Sequence, residues 1–328
     1  MYSGYINLPN DTIIRSPGQQ KGRNLQGPDL KGIVFNTTFN PDILHTKEEE
    51  LWWSSVTDNK RMPTGITSFD PVMEGGVPPG SVILLLGDIG AGSTEFVYSS
   101  MINLSVLKKE QNNQRHMLPE EIRYITFTKM EADIRRDIHL SFDPEITAGL
   151  GDDVHFDDLS EQYFDASTVP GDWYTEQDLM TRLKRRSEHK STLVQLAAVL
   201  NTVAENSLVI LDSLTDIATS YSDTENWKEL TAYLRGLQRV SKRWNTTIYM
   251  LLTEGILNRS QIQEIADIAD AVILFRWEES AAARRQRVMY FQKFRGVMPH
   301  LEENDLVKFS VRISPRIGFE VSNIRVII

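Results

Sequence analysis

Two short stretches of this 328-residue chain carry residues whose types and spacing suit chemistry on a phosphate. The first is Gly87-Asp88-Ile89-Gly90-Ala91-Gly92-Ser93-Thr94, directly after the apolar run 82–86. Glycines at such a turn let backbone N–H groups curl around an anion, and the start of a following helix adds positive potential. The phosphate-loop pattern is G-x-x-x-x-G-K-[ST], and Gly87, Gly92 and Thr94 fit it. Thr94 supplies the hydroxyl that such loops offer to Mg²⁺. The lysine is missing, because Ser93 stands in its place. The pattern therefore keeps the cradle and drops the charge that grips β- and γ-phosphates. A glycine-rich turn after a buried strand is also an ordinary structural device. The second stretch is 207–213, an apolar run ending in Asp212-Ser213.

Elements must place these residues together. Apolar runs at 82–86, 122–127, 207–211, 247–252 and 271–275 read as short buried strands. Helical spacing covers 94–109, 132–140, 193–203, 226–243 and 262–269. Alternation of this kind predicts an α/β fold with a mostly parallel sheet and helices on both faces. Runs 82–86 and 208–212 are apolar throughout, as interior strands covered on both sides require. Stretches 286–294 and 306–313 alternate enough for antiparallel strands at the C-terminal end, and 319–326 ends the chain. Ligands bind such sheets at the carboxyl ends of the strands, which brings the loop at 87–94 and Asp212 to one crevice. Lys129, just past the second strand, faces that crevice as well. It offers from another direction the charge that Ser93 lacks; the alternative is a lysine that reaches out to solvent.

Bulk properties narrow the function. The net charge of −10 counts against broad attraction to nucleic acid or anionic lipid. There is no cysteine, so no disulfide framework and no thiolate zinc site, and the six histidines lack metal-ligand spacing. No apolar run approaches the roughly 20 residues of a membrane span, and no signal-peptide pattern opens the chain. A cytoplasmic protein without membrane insertion is the expectation.

Residues 1–61 read as an N-terminal extension, partly flexible, and 62–328 as the main domain. Within the extension, 46–56 fits a short helix capped by Thr46, with Trp52 and Trp53 packing it onto the body or docking a partner. Residues 141–181 carry eleven acidic side chains and no Lys or Arg, and basic residues follow at 182–190. This reads as a solvated acidic insertion with a counter-charged helix.

Several motifs agree on a resemblance. The opening TGITSFDPVMEGGVPPGSVILLLGDIGAG, the strand LVILDS and the tail RVMYFQKFRGVMPH resemble the KaiC-like branch of the RecA/RadA superfamily of ATPases over about 62–326. The resemblance implies a RecA-like fold that takes ATP and Mg²⁺. It places phosphates on Gly87, Asp88, Gly90, Ala91, Gly92, Ser93 and Thr94. Mg²⁺ falls to Thr94 and, through water, to Asp212 beside Ser213. It also implies that Lys293 and Arg295 reach a neighbour's γ-phosphate in a homo-oligomer, as in a hexameric ring. Members that hydrolyse ATP have the loop lysine and end the second strand in glutamate; here no acid comes before Glu131.

Four readings stay open, one of them a pure scaffold in which the loop is only structural. Of the other three, one is a nucleotide-binding regulatory or assembly protein with weak or absent hydrolysis, working with a protein partner in signal transduction. Another is an active ATPase that uses Lys129 and the pair Lys293 and Arg295 from the neighbour. The third is a RadA-type recombination or repair paralogue. Against the last stand the acidity, the short segment 253–261, and the lack of a helix-hairpin-helix pattern in 1–62.

Overall fold

The computed structural model describes residues 61–110, 117–151, 153–165, 167–177, 180–181, 191–279, 284–304 and 306–323. The helix expected at 46–56, with Trp52 and Trp53, and the basic cluster at 182–190 lie outside the described residues.

The strands are β1 (Val82–Gly87), β2 (Ile122–Thr126), β3 (Val154–Asp158), β4 (Leu208–Asp212), β5 (Thr247–Thr253), β6 (Ala271–Glu279), β7 (Arg285–Phe294), β8 (Lys308–Ser314) and β9 (Gly318–Asn323). They form one sheet in the order β3-β2-β4-β5-β1-β6-β7-β8-β9. Strands β1 to β6 pair in parallel, and β6 through β9 continue antiparallel. Both expected interior strands are interior: β1 runs between β5 and β6, and β4 between β2 and β5.

All six residues of β1 are buried, and they divide by the period of two that a strand imposes. Ile83 and Leu85 enter a core on one face, and Val82, Leu84 and Leu86 enter a core on the other. Helices α1 (Ser93–Lys109) and α2 (Glu131–Ser141) cover the first face, through Phe96, Val97, Met101, Ile134 and Ile138. Helices α5 (Thr192–Leu200), α6 (Leu214–Ser220), α7 (Thr224–Trp244) and α8 (Arg259–Ile268) cover the second, where Leu230, Leu234 and Leu237 form the buried stripe of α7. The remaining described α-helices are short: α3 (Pro144–Thr147), α4 (Ser160–Asp165) and α9 (Met298–Glu303).

The segment before β1 is held by its own motif. The Asp70 carboxylate accepts from the Thr64 N–H and hydroxyl at 2.7 Å each and from the Gly65 N–H at 3.0 Å. Ser100 on α1 then donates to the Thr64 carbonyl at 2.6 Å. The Thr-Gly…Asp spacing thus fastens the segment to the helix that follows the phosphate loop. Gly76 is forced by packing: at φ +136°, an added Cβ would lie 2.0 Å from the Met62 carbonyl oxygen.

The acidic stretch 141–181 contains the edge strand β3 as well as α3 and α4, so part of it belongs to the sheet itself. Its charges are partly met from neighbouring elements, as where Arg123 on β2 grips Asp157 at 2.8 and 3.0 Å.

Candidate functional site

The loop Gly87–Gly92 leaves the carboxyl end of β1 and runs into α1, with Gly92 as N-cap at φ +115°. That backbone region is closed to most side chains. A Cβ on Gly92 would also lie 3.1 Å from Ile313 and 3.3 Å from Phe319, so β8 and β9 pack directly behind the loop. Ala91 is fully buried, and Ser93 and Thr94 are half-buried in the first turn of α1. Ser93 leans on the end of β1: a Cβ on Gly87 would meet its Oγ at 3.0 Å. Ile89, at the loop tip, is 82% exposed.

Residues the sequence reading does not single out fix this loop. Trp277 of β6 donates its backbone N–H to the Asp88 carboxylate and its indole N–H to the Ile89 carbonyl, both at 3.1 Å. Arg287 of β7 donates Nε–H to the Gly90 carbonyl at 3.0 Å. Arg285 and Arg287 also set their guanidinium groups 3.9 and 4.5 Å from the Trp277 ring centroid. Asp88 therefore spends its charge on β6. The Ile89 and Gly90 carbonyls and the Asp88 carboxylate are thus anchored to β6 and β7.

Across the crevice, Asp212 ends β4, next to Thr126 in the β2 register. Its side chain is 7% exposed. Oδ2 accepts from Lys129 Nζ at 2.9 Å and from the Tyr124 hydroxyl at 2.5 Å. Lys129 comes from the turn after β2, where its backbone N–H bonds to Thr126 Oγ1 at 3.2 Å and buried Phe127 pins the chain. Tyr124 lies on β2 with its ring 6.4 Å from that of Tyr98 on α1. Burial, and then the negative charge of Asp212, push both phenols well above the ordinary tyrosine pKa. Both hydroxyls stay protonated, and Tyr124 remains a donor to Asp212 at any physiological pH. Ser213 caps α6 in a capping box with Asp216.

The partners of Asp212 bear on a metal. A magnesium ion held by Asp212 would sit on a carboxylate whose Oδ2 already carries an ammonium. Unit charges about 4 Å apart repel by about 4 kcal/mol at an effective dielectric constant near 20, and a divalent ion doubles that before water screening. The lysine side chain is 39% exposed, so screening takes a large share. Among the described residues no group of three His, Asp or Glu side chains could hold a metal ion. As placed, Asp212 already has a cation on Oδ2, which disfavours a second one beside it.

Glu131, the first acid after β2, gives its carboxylate to Arg135 at 2.7 Å. A further acid beside the loop is Glu254, whose backbone N–H bonds to the Gly87 carbonyl at 2.9 Å and whose carboxylate pairs with Arg276 at 3.3 Å.

Lys293 and Arg295 lie elsewhere. Lys293 pairs with Val272 at the start of β6, whereas Gly87 pairs with Phe275, three residues further along that strand. At about 3.3 Å per residue the pair sits roughly 10 Å down the sheet from its own phosphate loop. It grips the C-terminal end of α8. Lys293 Nζ donates to the carbonyls of Ala266 and Asp267 at 2.8 and 2.7 Å, and Arg295 to that of Asp267 at 3.0 Å. Carbonyls at a helix C-terminus carry the negative end of its dipole, so they answer the repulsion between two neighbouring cations. Burial, and then Arg295, lower the Lys293 pKa.

A parallel sheet with a phosphate loop after β1 and an acid at the end of β4 defines a RecA-like nucleotide-binding domain. The chain belongs to the KaiC ATPase family, whose model matches residues 62–308. Among solved structures it is similar to a KaiC-like protein from the hyperthermophilic archaeon Pyrococcus horikoshii OT3, with 22% identity, 80% of this chain and 99% of that chain covered, and a TM-score of 0.49. No curated protein gives a significant match. No helix among the described residues is long and apolar enough to cross a membrane.

Proposed function

We propose that this KaiC-family protein binds ATP at the loop 87–94 as a regulatory or assembly signal, with slow or absent hydrolysis. The observation that carries the reading is the state of Asp212, tied to Lys129 and Tyr124 across from a loop in which Ser93 replaces lysine. The glycines and the start of α1 still offer backbone N–H groups to phosphate. The groups that drive turnover are absent or engaged elsewhere. Losing the loop lysine removes a charged hydrogen bond worth about 1.5–3 kcal/mol. Losing a general base typically costs about 10²–10⁴ in rate, and the nearest acid after β2 is bound to Arg135. An active ATPase relying on Lys129 fits less well, because that ammonium neutralises Asp212 and the first acid after β2, Glu131, is held by Arg135.

In this reading Lys293 and Arg295 act on a neighbouring subunit's nucleotide. Within the subunit they hold the end of α8, and Arg295 also lies 3.8 Å from Asp270, so they would reach a neighbour's nucleotide by exchanging those contacts. The assembly is a homo-oligomer, a ring in the pattern of the family, with 62–328 as the nucleotide domain and 1–61 as an extension. Titration calorimetry with ATP tests the ligand. Saturable binding that Gly92→Ala abolishes supports it. Heat indistinguishable from dilution would leave the loop a purely structural turn.

A further inference from the structure

We infer that the site takes its nucleotide without magnesium, with the ammonium of Lys129 standing where the metal ion would stand. The inference rests on the nucleotide-binding reading above and adds the form of the ligand: a metal-free nucleotide.

The geometry is specific. Lys129 Nζ lies 2.9 Å from Asp212 Oδ2, and the Tyr124 hydroxyl bonds to the same oxygen. Asp212 is buried, so its charge requires a partner, and a cation from its own chain provides one. An ammonium has three donors, and the bond to Asp212 uses one. The lysine side chain is 39% exposed while that of the aspartate is 7% exposed. Two donors of the ammonium therefore remain for a phosphate that reaches this partly open side chain. A bound Mg²⁺ would supply positive charge between the acid of this strand and the phosphates. Lys129 can bridge the two with one contact to the carboxylate and others to the phosphate. The position is built in. Thr126 lies beside Asp212 in register, Phe127 is buried, and the Lys129 N–H is held by Thr126. No group of three His, Asp or Glu side chains stands among the described residues to recruit the ion.

Charge sets the consequence. An ordinary site of this kind meets the phosphates with a lysine and a divalent ion. Here one ammonium, already half-neutralised, meets them beside the dipole of α1. Adding Mg²⁺ either sets a second cation beside Lys129 on the same carboxylate or leaves the ion on the nucleotide away from Asp212, and neither tightens binding.

Calorimetric titration of the full-length protein with ATP, in excess EDTA and in excess MgCl₂, tests this. The dissociation constant in EDTA should equal or fall below that in MgCl₂. Tenfold or greater tightening by Mg²⁺ overturns the inference and leaves the nucleotide reading standing. No binding in either buffer overturns both. Lys129→Met should weaken binding in EDTA at least tenfold and make it respond to Mg²⁺, because Asp212 is then free for the ion. Unchanged binding in that variant also overturns the inference. Lys129→Arg guards against misfolding: it keeps a cation opposite Asp212 and should retain binding in EDTA, and loss of that binding in a variant that melts like wild type counts against the bridge.

Discussion

Ser93→Lys restores the one residue that the phosphate loop lacks. Ser93 opens α1, half-buried, with its side chain against Gly87. A lysine there must extend past the loop toward the phosphates, the path its counterpart takes in an intact motif. A hydrogen bond from a charged donor contributes about 1.5–3 kcal/mol, and each 1.4 kcal/mol is tenfold in affinity. The variant should therefore bind ATP roughly ten- to hundredfold more tightly by titration calorimetry. Phosphate release should stay slow, because Glu131 remains on Arg135 and Asp212 on Lys129. Unchanged or weaker affinity in a variant that melts like wild type would refute the view that charge at this position limits binding.

Other consequences follow from packing and charge. Phe96 is buried against Phe69, Tyr249, Phe275 and Phe319, so Phe96→Ala should cost about 3–5 kcal/mol and lower Tm by roughly 6–20 °C in a thermal melt. Arg295→Ala should cost a monomer only about 0.3–1 kcal/mol through the lost α8 contact. In light scattering it should nevertheless break an ATP-stabilised oligomer; a wild-type monomer at micromolar concentration, with and without ATP, would remove the interface role. Burial works against the charge on Asp153, yet hydrogen bonds from Ser105 and Lys108 outweigh it and leave its pKa below the ordinary value. A carboxyl depressed in the folded state adds stability above its unfolded pKa, about 3.9, and loses it as pH falls through the folded value. Asp153→Asn should therefore flatten the loss of stability between about pH 5 and pH 2 in denaturant titrations. An unaltered acid limb would show that the Ser105 and Lys108 contacts contribute nothing.

The parallel core was legible because its strands are buried on both faces. Runs such as 82–86 and 208–212 are apolar without interruption, and they occupy the interior positions that this requires. Edge strand β3 was not legible. Its residues Val154-His155-Phe156-Asp157-Asp158 carry charge, and only Val154 is buried, so acidity hides a strand that needs one covered edge. Short α6 and α9 were missed for a similar reason: each is under two turns and leaves no helical period to read. In the site, loop and strand residues were placed by their motifs, and Lys129 by its position past β2. Its partner was not, because the contact with Asp212 depends on the β2–β4 register. Trp277 and Arg287 were invisible for the same reason. They are cross-strand partners in the β6–β7 hairpin, and only that pairing brings them over the loop.

The central claim, a nucleotide site with little turnover, meets its most direct test in steady-state phosphate release by the full-length protein at saturating ATP, with Asp212→Ala alongside. The account predicts release near the background of a protein-free control, with wild type and variant alike. Robust hydrolysis by the wild type that Asp212→Ala abolishes would contradict it.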